Sequence, residues 1–465
     1  MSSSPLAFES LCNLRALLGK GEIASVDVVK ACLRQISTHG ERTNAFTEVF
    51  EDDALTQARY SDELRARQGA TGSLHGVPVV VKDLFDIAGR VNTGGTAIRK
   101  GEPAALKSAA AVAALERAGA IIIGKANLDE LAFGVASANE HFGYVNNPWG
   151  DKLIPGGSSG GSAVALASGM AYVALGSDTG GSVRIPAAFT GTAALKVTPG
   201  LISTAGCIGV STTLDSVGPM ARTVADLSIP LALLQQTSNM RAKPSTPHMD
   251  FKRLRLGIDE QYYMNTDRMS GDCQKIMSTV LSDLQKKGVE LVPIKLPSIE
   301  YAEAAQKSIV LAEAAHYHSG DRRVLRQHYG KIIKPNLALG DFVLASDYLT
   351  AMNFRLTLAK EYAAAFDAVD FIVAPGVPFS ACEHDIDEYT WPDGSASHIF
   401  DAAWRSCFPS NLIGIPSLCQ PCGLTDAGLP IGLQLIAPPL AEQNLLSVGA
   451  MLEREFNWYF KAPGI

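Results

Sequence analysis

Residues 6–65 carry apolar side chains at intervals of three and four, the spacing of helices with one buried face, and predict two or three such helices. In SVDVVKACLRQISTHG, Ser25 stands where an N-cap belongs and Gly40 where a helix stops. The pattern then changes. Val77 to Val81 form an unbroken apolar run that ends at Lys82, which reads as a buried strand leading into a loop. SAAAVAALERAGAIIIGKANLDELA reads as helix, strand, turn and helix. YVALGSDTGGS reads as another apolar strand running into glycines, with a helix to follow that has Pro186 near its start, where a missing N–H does little harm. A polar, proline-containing stretch, SNMRAKPSTPHMDFKR, interrupts the alternation near residue 245. Beyond it come LRLGI, helical patterns from about 268 to 366, the strand FIVAPGVP, the strand-like LPIGLQLIAPP and a last amphipathic helix over roughly 441–456. Strands alternating with helices predict an α/β fold, a sheet covered on both faces.

Composition adds bounds. The chain has 465 residues, 47% of them hydrophobic, more than one compact core usually holds, so one lobed domain or two merged ones are expected. Forty-two glycines and 24 prolines imply many tight turns. A net charge of −7 without a Lys/Arg block argues against a nucleic-acid footprint. No stretch reaches about 18 uncharged apolar residues, and the N-terminus lacks the basic start and apolar run of a signal peptide, so a cytoplasmic chain without a membrane partner is expected. The eight cysteines are then reduced thiols; Cys419 and Cys422 form a CxxC without a second pair, which reads as structural and not as a zinc site. No metal and no cofactor is called for.

Two motifs mislead. GAIIIGKA, at 119–126, matches a phosphate-binding loop except at its last position, Ala126, which offers no hydroxyl to Mg²⁺, and its middle reads as strand. GGSSG, at 156–160, matches the nucleophile elbow G-x-S-x-G, but the preceding NNPWGDKLIP is loop where the elbow needs a strand. None of the nine histidines lies near these serines; His316 and His384 are distant candidates that nothing marks.

A serine needs a base. Lys82, at the end of a buried strand, would lose hydration and with it part of its basicity. On spacing alone it is equally a lysine that snorkels outward or pairs with Asp83. In SDTGGSVRIP, the N–H groups of Thr179, Gly180, Gly181 and Ser182 can converge on one spot and form an oxyanion-binding nest, with Asp178 and Arg184 bracing the turn. A plain glycine turn or a phosphate nest fits the same residues.

GVPVVVKDLFDIAG, GKANLDELAFG, PGGSSGGSAVALASG, LGSDTGGSVRIPAAFTGTAALKVTPG and LDSVGPMARTVAD together resemble the amidase signature family, with weaker likeness at PSLCQPCGLTDAGLPIGLQLIAPP. The resemblance implies a large mixed β-sheet with helices on both faces and Ser–Ser–Lys machinery: Ser182 as nucleophile, Ser158 as the bridging serine after a cis peptide bond, and Lys82 as the base acting through Ser158. Ser158 and Ser182 lie 24 residues apart, which fits the family pattern. It further implies residues 1–65 as a helical segment packed on a catalytic domain of residues 66–465, with a variable helical cap at about 240–400 that finishes the pocket.

In that cap Tyr317, Phe342, Tyr348, Met352, Phe354 and Trp391 suggest an apolar substrate body, and Gly157 and Cys207 are further candidates for substrate contact. The expected activity is hydrolysis of the C–N bond of a small-molecule amide, carbamate or urea-like compound by a free-standing enzyme. Its partner would be that small molecule and no nucleic acid, with a homodimer compatible with the resemblance. The alternative is the glutamine-hydrolysing component of a tRNA-dependent amidotransferase; KVTPG where that component has Lys-Pro-Thr, and a divergent stretch after VAPGVP, weigh against it. A non-catalytic binding protein and a Ser-His-Asp esterase on GxSxG are the remaining readings.

Overall fold

The computed structural model describes residues 5–245, 250–320, 328–462 and 464. Residues 246–249 of the polar break and 321–327 of the long helical pattern lie outside the described residues. One mixed sheet of eleven strands organises the chain. Across it run Phe46–Val49, Ile121–Ala126, Pro78–Lys82, Val173–Asp178, Ser216–Ala221, Ala193–Lys196, Ser417–Leu424, Pro430–Ile436, Phe371–Pro375, Arg255–Ile258 and Glu290–Pro293, with helices on both faces. Among the described residues no helix is long and apolar enough to cross a membrane.

The part that positions the site is a parallel trio. Pro78–Lys82 pairs in parallel with Ile121–Ala126 on one side and with Val173–Asp178 on the other. All three are buried along their whole length, as expected of apolar strands covered on two faces. Pro78 begins its strand, where its missing N–H removes little pairing. Val81 stands opposite Leu175. Lys82 and Asp178 are thus the last residues of parallel neighbours, and the loops that leave them emerge from the same edge, where α/β sheets bind ligands. Next to Val173–Asp178 the direction reverses, because Ser216–Ala221 runs antiparallel to it. The helix Gly160–Ala167 packs across Pro78–Lys82, Val173–Asp178 and Ser216–Ala221. It is apolar all round and wholly buried.

Several local expectations differ from the structure. The helix beginning at Ser25 has its N-cap at Ala24, whose N–H donates to Asp27, and it runs past Gly40 to Thr43, stopped by left-handed Asn44. The stretch 1–65 also contains the strand Phe46–Val49 at the sheet edge, which helical spacing concealed. After Ile121–Ala126, the expected helix is only the 3₁₀ turn Glu130–Ala132. Positive φ at Leu131 and Ala132 breaks it, and the Asp129 carboxylate holds the turn by accepting from Ser137 and Ala138 N–H (2.9 and 3.0 Å). Residues 240–400 are not only helical, since they contribute the strands Arg255–Ile258, Glu290–Pro293 and Phe371–Pro375 to the main sheet. Cys419 and Cys422 are both free and buried in one strand.

Candidate active site

Lys82 is fully buried at its strand end, and its Nζ meets three hydroxyls: Ser158 Oγ at 2.7 Å, Ser159 Oγ at 3.0 Å and Ser177 Oγ at 3.0 Å. It does not pair with Asp83; that carboxylate faces Lys125 (3.5 Å) and accepts from Thr47 and Thr93. Burial pulls the Lys82 amine down to about 8, and the nearby negative charge of Asp129, Asp178 and Asp215 offsets only part of that pull. A neutral amine has two N–H groups and one lone pair, so with three hydroxyls around it one contact must run from O–H to N. Ser159 directs its own hydroxyl toward Ser177 O (3.3 Å), which leaves Ser158 and Ser177 as the hydroxyls able to donate to Nζ. The arrangement can therefore hand a proton from Ser158 to Lys82.

Ser158 arrives on the loop before Gly160–Ala167, and the Gly157–Ser158 peptide is cis. Gly157 is required by close approach: a Cβ there would lie 2.0 Å from Asp129 Oδ2 and 2.7 Å from Ala136 N. The Ser159 N–H donates to Ser182 O (3.0 Å), and this ties the two serine loops together. Histidine takes no part, since the Ser158 hydroxyl meets Lys82, and the loop before it holds no strand, so the elbow reading fails on both counts.

Gly181 has φ +125°, a left-handed conformation that admits glycine at the turn leaving Val173–Asp178. One of the four expected nest amides is occupied, because Gly181 N–H donates to Asp178 Oδ1 (2.8 Å). Asp178 Oδ2 takes Val183 N–H (3.2 Å). Thr179, Gly180 and Ser182 remain at the cavity wall, and the Thr179 hydroxyl donates to Asp215 (2.6 Å).

Burial alone would raise the Asp178 carboxyl, but the Arg184 guanidinium beside it (2.9 Å) holds it well below the usual carboxylate range. Arg184 has no exposed surface and also donates to Cys407 O, Ser410 Oγ, Gln434 Oε1 and Asn411 Oδ1. Arg184→Met should therefore destabilise the fold by about 3–5 kcal/mol, because it strands Asp178 as an unpaired buried charge. A urea midpoint equal to that of wild type would show that the network does not carry stability.

Ser182 opens onto a cavity of about 640 Å³. Its wall includes Phe133, Val210, Gln306, Trp404, Phe400 and the pair Lys307–Asp401. The six cap side chains expected from the sequence do not line it. Phe342 is 80% exposed, Tyr348 donates to Glu313, and Trp391 packs on Phe379 and Tyr389. Gly157 and Cys207 are also absent from the wall. Gly157 sits behind Asp129, and Cys207 turns back to bridge Phe85, with its thiol donating to Ile208 O. Gln306 and Trp404 were missed, for lone polar or aromatic positions in helical stretches look like core.

The profile of the Amidase family matches residues 27–446. The chain belongs to the amidase signature family. It is therefore a hydrolase of carbon–nitrogen bonds, built on a fold that it shares with solved amidases. The GatA-type chain of the glutamyl-tRNA(Gln) amidotransferase of Roseiflexus castenholzii is 34% identical over 99% of this chain and 99% of its own length. The solved counterpart from the Thermotoga maritima amidotransferase superposes with a TM-score of 0.81 at 26% identity, covering 98% of both chains. An inhibitor-bound structure from the vestigial protein complex of an s-triazine catabolic enzyme has a TM-score of 0.90 at 29% identity, over 96% of this chain and 98% of that one.

These relatives correct two expectations for this amidase. The free-standing enzyme for a small-molecule amide gives way to the alternative, because the amidotransferase relatives match from end to end, including the divergent region after VAPGVP. The partner expectation, a small molecule and no nucleic acid, falls with it. The same catalytic core serves both kinds of enzyme, and a net charge of −7 describes one chain and not a companion that carries the basic surface.

Proposed function

We propose that this chain is the ammonia-releasing component of a glutamyl-tRNA(Gln) amidotransferase, cleaving the side-chain amide of glutamine, a C–N bond outside the peptide backbone. Neutral Lys82 accepts the Ser158 proton while Ser158 takes that of Ser182. Ser182 Oγ attacks the amide carbonyl, and the Thr179, Gly180 and Ser182 amides hold the oxyanion. The proton returns through Ser158 to the leaving nitrogen, ammonia departs, and water releases glutamate from the acyl-enzyme. The carrying observation is the end-to-end likeness to the amidotransferase relatives, supported by the 2.7 Å contact from Lys82 to Ser158 beside a cavity that Ser182 enters. Eight free cysteines support a reducing, cytoplasmic setting.

The test is ammonia release from glutamine by the chain alone and with the companion proteins of its own host, followed by transfer to glutamyl-tRNA. Glutamine cleavage that rises when the companions are added supports the reading. Cleavage of simple amides with glutamine untouched under both conditions removes it.

A further inference from the structure

Two side chains on the cavity wall carry polar atoms that are enclosed and unpaired among the described residues: the Oε1 of Gln306 and the Nε1 of Trp404. Gln306, on the helix Ala302–Tyr317, has no exposed surface, and Trp404 is 4% exposed. Their setting contrasts with Arg184, Asp178 and Asp215 nearby, whose buried polar atoms are partnered. Buried polar groups in folded proteins are paired almost without exception, so two such atoms in one site point to a partner that comes and goes.

The orientation of Gln306 is fixed by its neighbour. Its Nε2 donates to Thr179 O at 3.0 Å, and a carbonyl oxygen can only accept, so the amide NH₂ must face Thr179 and the acceptor Oε1 is what remains. Trp404 offers the reverse, an indole N–H that only donates. Both flank the oxyanion turn: a Cβ on Gly180 would lie 3.1 Å from the Trp404 ring and 3.8 Å from Gln306 Nε2. Beside them stands a charge pair of the same polarity. Lys307 Nζ lies 5.9 Å from the Trp404 ring centre and 2.8 Å from Asp401, and both residues line the cavity.

We propose that Trp404 and Gln306 are the specificity-determining pair for the end of the substrate remote from the scissile amide. The Trp404 indole donates to a carboxylate and the Gln306 carboxamide accepts from an ammonium, with Lys307 and Asp401 matching the same two charges at longer range. The substrate class so recognised is an ω-amide of an α-amino acid. The assignment of that amino acid as glutamine rests on the function proposed above.

The test uses the full chain and does not depend on turnover: the rate at which a fluorophosphonate labels Ser182, slowed by competing amides. Glutamine, 4-carbamoylbutanoate (no ammonium), 4-aminobutanamide (no carboxylate) and butanamide (neither) form the panel. Trp404→Phe keeps a ring and removes the donor; it should weaken protection by glutamine and 4-carbamoylbutanoate roughly tenfold relative to butanamide. Gln306→Met should do the same for glutamine and 4-aminobutanamide. Labelling itself reports that each variant is folded, and a variant that does not label is replaced by Trp404→Tyr or Gln306→Leu. Equal weakening across the four amides, or none, overturns the pair while leaving a glutamine-protected wild type as a glutaminase. A wild type protected by 4-carbamoylbutanoate and not by glutamine overturns the glutaminase reading, and the Trp404→Phe effect then still decides the donor. Protection by none of the four overturns both.

Discussion

Ser182→Ala is expected to abolish fluorophosphonate labelling and to slow amide cleavage by about 10⁴–10⁶-fold, the range seen when a serine hydrolase loses its nucleophile. The residual rate comes from the amides of the turn, which the substitution leaves in place. The expectation is specific to this serine. Ser158 contacts Lys82 at 2.7 Å and is fully buried, whereas Ser182 reaches the cavity. Label that persists in Ser182→Ala and vanishes in Ser158→Ala would move the nucleophile to Ser158 and return the elbow reading.

Lys82→Ala should lower kcat by about 10³–10⁴-fold, the upper part of what general acid–base groups contribute. The pH profile gives the sharper readout. With the Lys82 amine drawn down to about 8 by burial, the working form is the unprotonated one. Activity in wild type should therefore climb roughly tenfold per pH unit below about 8 and level off above it. About a tenth of the molecules are competent at pH 7 on this basis. Lys82→Ala should lose that limb along with the rate. A wild-type profile that is flat between about pH 6 and 10 is incompatible with a lysine base.

The elements that build the site were the easiest to read. Val77–Lys82 is an apolar run too short for a helix, and YVALGSD is another, because strands buried on both faces carry no polar alternation. The Asp178–Arg184 brace was also legible, since both residues flank a turn of fixed length. What escaped depends on contacts distant in sequence. Phe46–Val49 is a strand because it pairs with Ile121–Ala126, and Glu130–Ala132 is a turn because Asp129 captures amides seven and more residues on. The cavity wall was the least legible. Gln306 comes from a helix whose buried face includes Ala302, Ala305 and Ile309, and its place beside Thr179 is set by the tertiary packing of that helix. The free-standing reading failed for a related reason, since a companion chain leaves no mark on the residues that do the chemistry.

Arg184 ties the nucleophile turn to residues as far along the chain as Gln434, 250 positions later. During synthesis, at about 5–20 residues per second, the ribosome therefore makes Ser182 about 10–50 s before the last member of its brace exists. A chain cut short before Cys407 carries every residue of the Ser–Ser–Lys set and none of the C-terminal anchors that hold the nucleophile turn. Hydrolytic competence thus matures late in translation, and incomplete chains stay inert.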